Sequence, residues 1–332
     1  MLNGSATHRV FLALPLALGV SLAGLGLAKQ GQAADLESLH FLIPGGAGGG
    51  WDGTARGTGE ALTKAGIVGK ASYENMSGGG GGKAIAHLIE TAEKQQSTLM
   101  VNSTPIVIRS LQKVFPQSFR DLTPVASVIG DYASLVVHTG SDIQSFGDLV
   151  AAYNADPTKV SIGGGSVAGG MDHLVAALIM KGAGAQPTAV KYVPYDAGGK
   201  AMAGLLSGEI KALSTGFGEA IDLAKQDQVR ILCITAPKRL DTAGDVPTCA
   251  EAGAEGVEFV NWRGFFGAPG LPDDKRQAYV AALQKMYDTP EWEEVRKRNG
   301  WVNIWNPGAE FVTFLENQEK QVGDLMKELG FL

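Results

Sequence analysis

The stretch Ile43-Pro44-Gly45-Gly46-Ala47-Gly48-Gly49-Gly50-Trp51-Asp52 constrains the fold more than any other part of the chain. It follows an apolar run, 39–43, that reads as a first strand. It leads into 53–64, which reads as a helix. The first N–H groups of a helix have no intrahelical partner, and the helix dipole adds partial positive charge there. Glycines let backbone approach a ligand without Cβ interference. Such a loop can hold an anion with few cationic side chains. It can equally be no more than a tight turn. Gly48, Gly50 and Gly53 formally match a dinucleotide fingerprint, but Trp51 stands where a pyrophosphate would need room.

The amino terminus predicts export. Residues 1–9 end in His8 and Arg9, residues 10–28 are apolar and free of charge, and Gln32-Ala33-Ala34 supplies small residues before Asp35. This is the pattern of a secretory signal peptide over 1–34, cleaved after Ala33 or Ala34. The apolar run is also near bilayer-spanning length, so an uncleaved anchor stays open. Removing 1–34 takes away Arg9 and Lys29 and no acidic residue, so the formal charge moves from −6 to −8. Nucleic acid is excluded as a partner by the absence of a basic footprint. The two cysteines, Cys233 and Cys249, can form a disulfide in an oxidising compartment or stay as separately buried thiols.

The mature chain alternates between short apolar runs (39–43, 97–101, 135–137, 160–162, 189–193, 210–213, 229–234) and helix-like segments (83–93, 145–154, 171–181, 198–207, 220–225). That alternation predicts α/β units with largely parallel pairing. The carboxyl part, 273–287, 291–299 and 309–328, reads as consecutive helices. Crossings near Asp131-Tyr132-Ala133 and over 258–267 predict an inserted unit. One lobe would comprise 35–133 and 257–332, and the other 134–256, with a cleft between them.

Several loops follow strand ends, the side where open sheets bind ligands. Asn102-Ser103-Thr104-Pro105 offers the hydroxyls of Ser103 and Thr104 to a carboxylate, or to the next helix as caps. Residues 163–172 bring Gly165 and Ser166 to a helix start. Tyr195, Asp196, Gly198 and Gly199 form a similar turn, and Thr215 follows another strand. Ser77 to Gly82, followed by Lys83, resembles a phosphate loop but lacks its first glycine and its Ser/Thr, and reads rather as a flexible turn. Ser166, Asp172 and His173 invite a hydrolase reading, but Ala168 breaks the lipase-type elbow. His8, His40, His87, His138 and His173 show no ligand spacing with the cysteines, so no metal is expected. No cofactor and no catalytic residue is expected either.

These residues resemble a known family. Ile43-Pro44 through Asp52-Gly53-Thr54-Ala55-Arg56, Tyr73-Glu74-Asn75, Tyr192-Val193-Pro194-Tyr195 and the run from Phe259 through Trp262-Arg263-Gly264 to Gly270 are similar to the Bug-type extracytoplasmic receptors, the solute receptors of tripartite tricarboxylate transporters. The likeness spans nearly all of 36–332. Gly-Gly-Gly-Trp-Asp resembles the citrate-type branch. The resemblance implies a two-lobed α/β periplasmic binding protein of type II-like organisation, with discontinuous domains closing on a small carboxylate such as citrate or a dicarboxylate. It implies a carboxylate held by the loop carrying Gly46, Ala47, Gly49, Gly50, Trp51 and Asp52, and by opposing loops at Ser166 and 195–199. Asp52 is expected to brace the loop amides rather than to touch the ligand. The implied partner is a membrane permease with one large and one small subunit, and the implied location the periplasm. A monomer is expected. Val167 to Asp172 separate the serine from His173 by more than is usual in the family, which puts a contact at His173 in doubt. The rival classes are a sensory binding protein of the same fold acting without a transporter, and a secreted hydrolase.

Overall fold

The computed structural model describes residues 35–332; the signal peptide expected over 1–34 lies outside the described residues. In chain order the elements are β1 (Leu36–Ile43), α1 (Gly50–Lys64), β2 (Val68–Asn75), α2 (Gly82–Glu90), β3 (Thr98–Ser103), α3 (Thr104–Leu111), β4 (Thr123–His138), α4 (Phe146–Ala155), β5 (Ser161–Gly164) and α5 (Met171–Gly182). They continue with β6 (Lys191–Pro194), α6 (Gly198–Leu206), β7 (Ala212–Gly216), α7 (Phe217–Lys225), β8 (Val229–Ile234), β9 (Val260–Gly267), α8 (Asp273–Tyr287), α9 (Pro290–Arg298), β10 (Val302–Pro307) and α10 (Ala309–Glu328).

The strands run in the order β2-β1-β3-β9-β4-β7-β5-β6, with β10 and β8 also pairing with β4. Pairing is parallel within β2-β1-β3 and within β7-β5-β6. Every pairing of β4 is antiparallel, and so is that of β3 with β9. The expectation of largely parallel pairing is therefore corrected to a mixed sheet. The cause is that β4 and β9 are long crossing strands rather than members of βαβ units. β4, 16 residues long, reads in sequence only through its apolar end at 135–137. Its partners change along its length. It pairs with β9 up to Tyr132↔Val260 and with β7 from Ala133↔Gly216 onward. Asp131-Tyr132-Ala133 spans this handover.

Three strands did not stand out in the sequence. β2 has alternate residues exposed and lies at a sheet edge, where polar residues such as Lys70 discourage further pairing. β10 ends in Pro307 and is only half-buried. β9 was read as a crossing segment because Asn261, Arg263 and Gly264 interrupt its apolar run, yet it is almost wholly buried.

Two apolar cores lie on the first sheet and its helices. One packs Phe41, Leu62, Phe265, Met286 and Trp292. The other runs from Leu42, Met100 and Trp262 through Leu135 to Leu174 and Ile179 of α5, so it continues beneath both sheets. A third gathers Leu205, Leu213, Phe217 and Ile234 beside α6 and α7. Cys233 and Cys249 are joined in a disulfide across a sequence separation of 16. It pins the chain just before it returns toward β9. Among the described residues no helix is long and apolar enough to cross a membrane.

Candidate functional site

The loops at the carboxyl ends of the strands converge on one cavity of about 140 Å3. Its walls come from both groups of strands. The β1–α1 loop, residues 77–81, Ser103 and Arg109 of α3 face Gly165 to Asp172, 195–198 and Glu219. At roughly 10–15 Å3 per enclosed water, the space suits a small organic molecule.

The β1–α1 loop is held from behind. Asp52, 6% exposed, accepts the Gly48 amide at 3.0 Å and pairs with Arg56 at 2.8 Å. Asn75, at the end of β2, donates to both Asp52 Oδ1 and the Gly45 carbonyl at 3.0 Å each. Asp52 is therefore spent on the loop and does not line the cavity. Trp51 Nε1 donates to Ser103 Oγ at 2.8 Å, which fixes the indole against the cavity wall. A Cβ on Gly45 would stand 2.9 Å from that indole, so no larger residue fits there.

Residues 78–81 form a second glycine wall. All four have positive φ, from +59° to +142°, a run that only glycine adopts without strain. The sequence reading of this stretch as a turn is thus incomplete: the turn lines the cavity. Across the mouth, the Ser77 hydroxyl donates to Asp196 Oδ1. Arg109 reaches the Val167 and Ala168 carbonyls at 3.4 Å, and Gln112 donates to the Gly169 carbonyl at 3.0 Å. A Cβ on Gly49 would lie 3.5 Å from the Gly198 amide nitrogen, and one on Gly46 would lie 3.0 Å from the Ala197 Cβ. The amino ends of α1 and α6 thus face each other across the cleft. Their first amides lack intrahelical partners and carry the positive helix ends.

Ser166 does not present a free hydroxyl. Its Oγ accepts the Asp172 amide at 3.0 Å and lies 3.1 Å from the Tyr192 hydroxyl, while its own amide donates to Asp172 Oδ2 at 2.9 Å. These bonds close the turn that starts α5. His173 accepts the Gly169 amide and stacks on Tyr192 at 4.6 Å; burial lowers its pKa. It lies behind the wall, and no Ser-His-Asp relay forms.

The floor is charged. Arg263 of β9 and Asp131 of β4 pair at 2.8 Å with side chains 3% and 0% exposed. Arg263 also donates to Thr54 Oγ1 of α1 at 3.2 Å, and Asp131 accepts the Gly218 amide of α7 at 3.2 Å. Burial raises the pKa of Glu219, opposed by Arg263 and aided by Asp131. Burial, with the nearby Glu219 charge, pushes Asp172 up to about 7.

Of the residues singled out in the sequence, Gly46, Gly49, Gly50, Trp51, Ser103, Gly165, Ser166, Tyr195, Asp196 and Gly198 line the cavity. Ala47, Asp52, Thr104, Gly199 and Thr215 do not. Thr215 turns its hydroxyl to Glu219 at 2.9 Å, and Thr104 is buried at the start of α3, its amide given to Asn261. Tyr195 lines the wall, but its phenol runs back toward Gly204 of α6. Arg109, Asn261 and Arg263 were missed, and Glu219 was noticed only as the end of the loop that Thr215 opens. They sit in helices and a strand, and only the tertiary fold brings them to the cavity. Among the described residues no group of three His, Cys, Asp or Glu side chains is placed to hold a metal.

Comparison with known proteins agrees with this architecture. The model of the tripartite tricarboxylate transporter family receptor matches residues 55–331. A UPF0065 protein from the tcbD-tcbE intergenic region of Pseudomonas sp. (strain P51) is 26% identical over 288 residues, covering 85% of this chain and 84% of the relative. The periplasmic binding protein BugD superposes with a TM-score of 0.80 at 20% identity, over 89% of this chain and 98% of BugD. MatC (Rpa3494) from Rhodopseudomonas palustris with bound malate does so at 0.76 and 19% identity, over 87% and 98%. The chain belongs to the tripartite tricarboxylate transporter receptor family, and its fold is the two-lobed α/β fold of periplasmic binding proteins.

Proposed function

We infer that this receptor captures a small carboxylate, a dicarboxylate or a tricarboxylate such as citrate, in the cleft between its lobes and delivers it to a membrane permease. In this reading 1–34 is a signal peptide, the protein works in the periplasm, and the lobes are 35–133 with 257–332 and 134–256. The observation that carries the reading is the meeting of two helix amino ends, α1 and α6, beside one cavity. A buried carboxylate needs several donors to offset its desolvation. Helix-end amides supply them where side-chain cations are few. The malate bound in MatC supports a carboxylate in the same kind of cleft. The loops of Gly46, Gly49, Gly50 and Trp51 and of Gly165, Tyr195 and Gly198 would surround the ligand.

The test is a thermal-shift screen of carboxylates beside their amides and methyl esters. A ligand that binds only the folded state at a hundred times its Kd adds about 2.7 kcal/mol of stability. Stabilisation by the acids and not by the neutral analogues is expected. Equal shifts from citrate and a neutral analogue would refute the reading.

A further inference from the structure

Glu219, an acidic residue of the cavity floor, has two oxygens that are treated unequally. Oε2 accepts the Thr215 hydroxyl at 2.9 Å and the Gly216 amide at 3.2 Å. Oε1 is buried, lines the same cavity through its residue, and has no hydrogen-bond partner in the protein. It stands against Gly198 at the amino end of α6. A buried acceptor left unmade is costly, and more so when charged. The charged groups around it have other partners, although the Nε of Arg263 is buried and unpaired. Arg263 from β9 is held by Asp131 from β4 and by Thr54 from α1. Asp172 from α5 bonds the amide of Ser166. Arg109 from α3, on the opposite wall, donates to Gln112 and to the 167–168 carbonyls. The cavity therefore has two unlike poles. The glycine loops and helix ends donate, and Glu219 accepts.

We propose that Glu219 is a specificity-determining residue whose Oε1 accepts a hydrogen bond from a hydroxyl or ammonium group of the ligand, so that the cleft prefers carboxylates bearing such a donor over the same acids without it. The proposal rests on the carboxylate reading above and goes beyond it by naming the second group recognised. A plain dicarboxylate would leave Oε1 unmatched. A hydroxy acid or amino acid of the same length fills that place while its carboxylate keeps the donating pole.

Isothermal titration of matched acids on the mature protein tests this. The sets are tricarballylate with citrate; succinate with L-malate and L-aspartate; and glutarate with 2-hydroxyglutarate and L-glutamate. Within the best-fitting set, the donor-bearing acid is expected to bind about tenfold to a hundredfold more tightly, the worth of one hydrogen bond to a charged group. The hydroxy and amino members separate a neutral donor from a cationic one. E219Q supplies the second arm. Thr215 and Gly216 both need an acceptor, so the amide oxygen stays with them and the NH2 group turns to the cavity. The acceptor becomes a donor, and the preference is expected to shrink to within about threefold while the plain acid still binds. Equal affinities within every set of the wild type would overturn the proposal and leave the carboxylate reading standing. A preference unchanged in E219Q would also overturn it. Absence of binding by every acid would overturn both readings. If E219Q fails to fold, the wild-type comparison alone decides.

Discussion

Replacing Arg263 with methionine should destabilise the protein in a way that depends on pH. The guanidinium and the Asp131 carboxylate lie 2.8 Å apart with side chains 3% and 0% exposed. Through Thr54 and Gly218 the pair also ties α1 and α7 to the crossing strands. Removing one partner of a buried pair typically costs about 3–5 kcal/mol, because the other charge is left uncompensated. At roughly 2–4 °C per kcal/mol for a chain of this size, the Tm falls by about 10 °C. The pH dependence follows from the partner left behind. Burial pushes the Asp131 carboxyl up and the Arg263 charge pulls it down; without Arg263 it rises further. Its folded pKa, already above the usual value in the intact protein, then lies higher still. The group's contribution is intact below the unfolded pKa and is lost as pH rises toward the folded one. Across that window the variant loses about 1.4 kcal/mol for each pH unit. Urea unfolding of wild type and variant, followed by circular dichroism at pH 5 and pH 7, measures this. The deficit should be smaller at pH 5 than at pH 7. The double variant Asp131→Leu/Arg263→Met should recover most of it at pH 7, since well-packed apolar residues replace buried pairs at little cost. A deficit under about 1 kcal/mol at pH 7, or one identical at the two pH values, would refute the argument.

Three further outcomes are expected. Ser166→Ala should cost about 1 kcal/mol of stability, the worth of one hydrogen bond, and change carboxylate affinity by less than about threefold; a tenfold loss by calorimetry would return the hydroxyl to the ligand. Asp172, with its pKa pushed up to about 7 by burial and by Glu219, contributes stability that is whole below about pH 4 and lost as pH rises through about 7. Wild-type Tm should therefore drop between pH 5 and pH 8 more than that of Asp172→Asn, and equal drops would show that Asp172 is not the group. Trp51→Phe should remove most of the ligand-induced change in emission with a moderate loss of affinity, because Trp262, Trp292 and Trp301 are buried in the cores; a full-sized signal in the variant would place the reporter elsewhere.

The parts of the fold that were legible share a physical cause. The β1–α1 turn announces itself because glycines follow an apolar run, and α8 and α9 begin beside Pro272 and Pro290. β2 was hidden because an edge strand keeps water-facing residues such as Lys70 and Glu74. β9 was hidden because Arg263 reads as a surface residue until Asp131, 132 positions away, is seen beside it. The same reason explains the candidate site. Glycine loops mark places where backbone approaches something, so Gly46, Gly49, Gly165 and Gly198 could be named from sequence. Arg109 and Glu219 lie on ordinary amphipathic helices, and nothing local says that they face a cavity. Thr104 and Thr215 were named for their hydroxyls, which the fold turns to other work.

The shared strand β4 has a consequence for how affinity in such a protein can drift. Its ladder to β9 ends at Tyr132 and its ladder to β7 begins at Ala133, so the peptide between them can twist without breaking a rung of either. The bonds that cross the mouth of the cleft are Ser77–Asp196 and those of Arg109 and Gln112 to 167–169. Apparent affinity is the intrinsic affinity scaled by the fraction of molecules able to bind. Substitutions at Gln112, which does not line the cavity, would then weaken or strengthen capture of every ligand alike. Selection could set the concentration at which the receptor fills at the rim, and leave the choice of molecule to the residues inside.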